Sequence, residues 1–191
     1  NNTVLIGTDA GQAITTTGSG PTDPDGTTAI GIQALGALTT GARNLAIGYQ
    51  ALQHTDTGTD NIAIGFKALS DQNVGGDGEA ADSDGNIAIG SLAMSGAWVA
   101  NKSEHNIAIG TSAMAGAMDT SGRNICIGQF AGNATTTADN NVLIGTDAAR
   151  YNNATSKIVG IGSAVFQGGI SSAAEGAVAV GANALMSLTS G

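Results

Sequence analysis

Apolar residues come along this chain in short bursts that close on a glycine, and the bursts recur ten times. Six open on asparagine: Asn44-Leu-Ala-Ile-Gly48, Asn61-Ile-Ala-Ile-Gly65, Asn86-Ile-Ala-Ile-Gly90, Asn106-Ile-Ala-Ile-Gly110, Asn124-Ile-Cys-Ile-Gly128 and Asn141-Val-Leu-Ile-Gly145. Four looser copies end at Gly7, Gly31, Gly162 and Gly181. Numbered from that glycine, position −1 is Ile or Val throughout, and −3 is Ile, Leu or Val except at Thr28. Position −2 is usually Ala. Large and small residues therefore alternate with period two, the signature of a strand with two different faces. Strands are predicted at 44–47, 61–64, 87–89, 107–109, 125–127 and 142–144.

A second apolar pair follows each glycine. Position +3 is Ala in nine copies and Val165 in the other. Position +4 is often Leu, Met or Phe, as in Leu52, Met94 and Phe166. This pair reads as a second short strand. A polar stretch, commonly Thr-Gly or Ser-Gly, then leads to the next Asn. Gly and Asn tolerate positive φ, so both are expected at the corners. Ala and Leu also favour helix, but the apolar runs are too short and Gly recurs too often. The key glycines are 24, 17, 17, 25, 20, 18, 17, 17 and 19 residues apart. A period near 17 that tolerates insertions indicates a solenoid. The expected fold is all-β, a parallel β-roll of about ten coils in one domain over residues 1–191. Stacked at about 4.8 Å, such coils make a rod roughly 50 Å long.

The Ile/Val face is expected to fill the narrow coil interior. The Ala/Gly face then becomes a smooth outer wall running from Ala29 through Ala46, Ala63, Ala88, Ala108 and Cys126 to Ala179. Such an uninterrupted apolar stripe is an association site, and closed symmetric self-association would cover it. The expected partner is the chain itself.

These repeats resemble the heads of trimeric autotransporter adhesins, the YadA-like repeats with the motif Asn-Ser-Val-Ala-Ile-Gly. The nearest local match is Ala173-Ala-Glu-Gly-Ala-Val-Ala-Val-Gly-Ala-Asn-Ala184. Asn44-Leu-Ala-Ile-Gly-Tyr-Gln-Ala-Leu52, with its following Thr-Gly and Asn, resembles bacteriophage tail fibre repeats. The resemblance spans essentially the whole chain. It implies a left-handed parallel β-roll, a parallel homotrimeric fibre, and a structural and adhesive role in host attachment. The setting it implies is a virion tail fibre or a bacterial cell surface, with loops contacting a glycan or protein receptor. The pattern begins and ends mid-repeat, so a segment of a longer fibrous protein is expected.

Composition narrows the partners. Six Lys and Arg against fifteen Asp and Glu give a formal charge of −9, which disfavours nucleic acid and anionic membrane surfaces. No apolar run is long enough for a transmembrane helix, so no membrane insertion is expected. A single cysteine, Cys126, cannot form an intrachain disulfide. It sits at the Ala position of its strand and is expected to be buried and inert.

Candidate chemistry lies in the long intervals. Asp71, Asp77, Glu79, Asp82 and Asp84 crowd the 25-residue interval, and Asp23-Pro-Asp25-Gly26 repeats the arrangement of Asp82-Ser-Asp84-Gly85. Oxygen-rich flexible loops are what Ca²⁺ requires, so Asp82, Asp84, Asp23 and Asp25 are candidate ligands. A solvated loop is the plainer reading, and no other cofactor is expected. The same acids could form a glycosidase pair, so a polysaccharide-degrading tailspike is the alternative to a non-enzymatic fibre. They lack aromatic neighbours to hold a sugar. His54 and His105 stand alone, without metal-ligand spacing. Tyr49 and Phe66 share position +1 one period apart, after Ile32. They form either a packing ladder between coils or a receptor-contacting stripe. Trp98 is either an exposed receptor contact or a side chain folded over its coil.

Overall fold

The computed structural model describes residues 2–14, 24–70, 83–98, 102–152, 154–168, 170 and 174–186. Ten three-residue strands follow one another: β1 (Val4–Ile6), β2 (Thr28–Ile30), β3 (Leu45–Ile47), β4 (Ile62–Ile64), β5 (Ile87–Ile89), β6 (Ile107–Ile109), β7 (Ile125–Ile127), β8 (Val142–Ile144), β9 (Val159–Ile161) and β10 (Val178–Val180). Each pairs in parallel with the next, so the sheet order is the chain order. The register places −3 on −3, −2 on −2 and −1 on −1 at every step, as in Ile62↔Ile87, Ala63↔Ala88 and Ile64↔Ile89. The protein is an all-β solenoid, and every coil contributes one strand to a single sheet.

The two faces are the reverse of the sequence expectation. Position −2 points inward: Ala46, Ala63, Ala88, Ala108 and Cys126 are wholly buried. The Ile and Val side chains at −3 and −1 point outward and are half-exposed from β2 to β8. The reason is what lies across the coil. Position +4 also points inward, with Leu35, Leu52, Leu69, Met94 and Met114 wholly buried. It meets −2, and the two share one small volume. Ala at −2 goes with Leu or Met at +4. Cys126 goes with Gly132, where an added Cβ would lie 2.6 Å from the Cys126 Sγ. Leu143 goes with Ala149, and Gly160 goes with Phe166, whose ring edge lies 3.0 Å from the Cβ that Gly160 lacks. Leu38, Trp98, Met118 and Ile158 complete the core.

The segment after the glycine is a run of turns, not the second strand expected. Positions +2 and +4 are left-handed, as in Gln50 (φ 55°) and Leu52 (φ 51°), or Ser112 (φ 54°) and Met114 (φ 49°). Non-glycine residues enter this region at a cost. The turns persist because they let each coil bond the next: Leu52 N–H donates to the Ala68 carbonyl and Met94 N–H to the Ala113 carbonyl. The key glycine sits at φ near +133° in Gly90, Gly110 and Gly128 alike or within a few degrees. A Cβ on Gly110 would meet the Gly128 carbonyl oxygen at 2.6 Å, so coils can stack there only with glycine.

The asparagines are not left-handed corners either. That conformation belongs to the preceding residue, for example Arg43, Asp60, His105 and Arg123, all near φ 58°. Asn44, Asn61, Asn86, Asn106, Asn124 and Asn141 are instead buried to within about 1% and stack into a ladder. Each Oδ1 accepts the backbone N–H of the next rung: Asn61 N–H to Asn44, Asn86 to Asn61, Asn106 to Asn86, Asn124 to Asn106, Asn141 to Asn124 and Ile158 to Asn141, at 2.9–3.1 Å. Each Nδ2 donates to a carbonyl, such as that of Ser83, Ser103 or Ser121. The side chain thus pairs backbone groups that the corner takes out of the sheet and away from water.

Candidate functional site

Two columns of aliphatic side chains run up the outer face of the sheet. Position −3 contributes Leu45, Ile62, Ile87, Ile107 and Ile125, and −1 contributes Ile30, Ile47, Ile64, Ile89 and Ile109, with the flanking strands continuing both columns. Of the residues at these positions in ten strands, only Thr28 is polar, and none is charged. The alternation alone had placed this stripe in the core and the Ala stripe on the association face. The reciprocal sizes of −2 and +4 carried the signal that would have assigned the faces correctly.

Position +1 lies beside this face. Tyr49 and Phe66 stack with ring centroids 5.5 Å apart and planes 9° from parallel, so the expected coil-to-coil ladder is present. Both rings are also exposed. Trp98 is wholly buried, so of the two readings it is the side chain folded over its coil. A second aromatic cluster lies three coils away. The Arg150 guanidinium sits 4.2 Å from the Phe130 centroid and 5.5 Å from that of Tyr151, and it pairs with Asp147 at 3.0 Å.

The acidic candidates divide. Asp23 and Asp82, with Asp71, Asp77 and Glu79, lie outside the described residues. Asp84 braces the stacked coils, since its Oδ1 accepts the Thr59 N–H at 2.6 Å, as Asp139 accepts that of Gly122 at 2.6 Å. Asp25 is exposed, and its carbonyl accepts the Arg43 N–H at 2.9 Å. Among the described residues, no three His, Cys, Asp or Glu side chains come together in a way that could hold a metal ion. His54 is exposed with its Nδ1 at 2.8 Å from the Ser70 carbonyl, and His105 is exposed at 3.9 Å from Glu104. Cys126 is fully buried, and burial pushes its thiol pKa well up.

On the charged corner, Arg43 pairs with Asp60 one coil on at 2.6 Å, and Lys157 pairs with Glu175 at 2.5 Å. The Arg43 hydrogen bond holds the Asp60 carboxyl below the usual range, and Glu175 raises the Lys157 ammonium. Two shallow clefts of about 190 and 250 Å³ open on this side, and Asp139 lines both. Small-molecule pockets usually hold about 300–1,000 Å³ and are mostly apolar; these are smaller and polar. Among the described residues, no helix is long and apolar enough to cross a membrane.

Comparison with protein-family models, curated proteins and solved structures returned no match to this chain.

Proposed function

We propose that this chain is a structural and adhesive fibre segment that works as a parallel homotrimer, its Ile/Val face turned toward the three-fold axis. The observation that carries this reading is the aliphatic face itself: two continuous columns along ten strands, half-exposed and without a charge. An apolar surface of that length is unfavourable in water and marks an interface. Parallel strands in one register give each copy the same face at every level, which suits a closed symmetric assembly. The resemblance to adhesin heads and tail fibre repeats supports the same arrangement, a left-handed coil, and a place on a virion tail or cell surface.

In this reading the corners and the long insertions face outward and meet a glycan or protein receptor. The net charge of −9 keeps such fibres apart from nucleic acid and anionic bilayers. The expected result of light scattering at micromolar concentration is a trimer mass. Incubation with host capsule or lipopolysaccharide is expected to show binding without new reducing ends. A stable monomer overturns the assembly, and released reducing ends favour the polysaccharide-degrading alternative.

A further inference from the structure

We infer that Tyr49 and Phe66, with Ile32, form part of the seam between copies of this chain, where they anchor the N-terminal third of the assembly. The inference rests on the self-association proposed above. Its first support is continuity. The inter-coil hydrogen bonding runs past the strands: Gly48 N–H donates to the Ile30 carbonyl, Gln50 N–H to Ile32, and Lys67 N–H to Tyr49. Position +1 lies two residues beyond −1, just past the key glycine, and Ile32, Tyr49 and Phe66 are exposed there beside the outer Ile and Val columns. In the second to fourth coils the face is therefore three columns wide. In the fifth to ninth coils Ser91, Thr111, Gln129, Thr146 and Ser163 occupy +1, and the apolar face narrows to two columns.

The second support is area. Ten strands at about 4.8 Å, each three residues of about 3.3 Å, give a face of roughly 500 Å². A standard interface buries about 800 Å² on each partner. A whole Tyr or Phe side chain offers about 150–250 Å²; with Tyr49 43% and Phe66 49% exposed, roughly half of that is left to bury, so the +1 column narrows the gap where it is present. The third support is ring geometry. Ile32 is 49% exposed, Tyr49 43% and Phe66 49%, yet the two rings face each other, and the Lys67 ammonium sits over the Phe66 ring at 5.8 Å. A sugar stacks on an open ring face. Here one face of each ring is already taken by the other, and the exposed remainder of the pair suits the aliphatic columns of a neighbouring copy.

Hydroxyl-radical labelling of the intact, assembled chain tests this, with Tyr151, 59% exposed, as the internal reference. Tyr49 and Phe66 are expected to label far more slowly than Tyr151, and to match it once the assembly is dissociated. The double variant Tyr49→Ser/Phe66→Ser removes no buried side chain. It is expected to keep the β circular dichroism and raise the dissociation constant by at least about 100-fold. If the chain assembles but both rings label like Tyr151, or the double variant assembles as tightly as the parent, the inference fails and the fibre reading stands. Protection that appears only when a soluble host glycan is added assigns the pair to the receptor and also overturns the inference. A monomeric parent chain removes both.

Discussion

Asn106 shows how many hydrogen bonds converge on one rung of the ladder. Its N–H goes to Asn86, its Oδ1 receives the Asn124 N–H at 3.1 Å and the Asn124 Nδ2 at 3.0 Å, and its own Nδ2 reaches the Ser121 carbonyl at 2.9 Å. Asn106→Ala leaves a buried donor and a buried acceptor without partners, each costing about 1–3 kcal/mol. A loss of roughly 2–6 kcal/mol is expected in urea unfolding. Asn106→Asp keeps the acceptor but loses the donor and buries a charge, so it should cost no less at neutral pH. Cys126 offers a second check at this scale. Its thiol is buried and its pKa raised, so Ellman's reagent is expected to react only as fast as the coil opens. Stability tied to this thiol is present below the ordinary thiol range and falls as pH rises above it, because only the unfolded chain then ionises. The sequence showed that Asn and Cys occupy fixed places, but it could not show what each bonds or fills there. A ladder between residues 17 to 25 apart leaves no local trace beyond the recurrence itself.

At the scale of one coil, the strand was legible and the turn run was not. The period-two alternation located all six clearly patterned strands, two of them one residue long at the Asn. The Ala-Leu pair after the glycine carries the same composition as a strand. Its left-handed residues at +2 and +4 include Leu52, Met94 and Phe166, which local preference argues against; tertiary pairing between coils overrides it. The inward direction of both −2 and +4 is the coil's main packing rule, and it can be tested. Ala108→Leu pushes a branched side chain into a volume already filled by Met114, and overpacking of this kind costs about 1–3 kcal/mol. Ala108→Leu with Met114→Ala copies the natural Leu143/Ala149 pair, so the double variant is expected to recover most of the loss. If the two changes are simply additive in thermal unfolding, −2 and +4 do not share one volume.

At the scale of the whole rod, the two faces of the sheet make opposite demands on a charge, and this separates folding from assembly. Repetition with aromatic residues at only 3% made the solenoid readable from the sequence. The rod's inside and outside were not readable, because both faces are apolar and alternation alone does not rank them. The buried face is lined by Ala88 and Ala108, each wholly enclosed. A glutamate at either would place a carboxylate in the narrow interior without a partner, which costs several kcal/mol. Ala88→Glu is therefore expected to unfold or aggregate, with loss of β circular dichroism. Ile89 and Ile109 are paired neighbours in the outer column, one residue along from those alanines, and are half-exposed in a single chain. A glutamate there can reach water in the monomer. In a closed assembly the same charges, repeated by symmetry, would face one another near the axis. Ile89→Glu/Ile109→Glu is expected to keep the fold and sediment as a monomer at concentrations where the parent does not. The parent's Tm should fall on dilution, as linkage requires of an associating protein, while that of the double variant should not. A double variant that still assembles as the parent does would mean the Ile/Val face is not what holds the copies together.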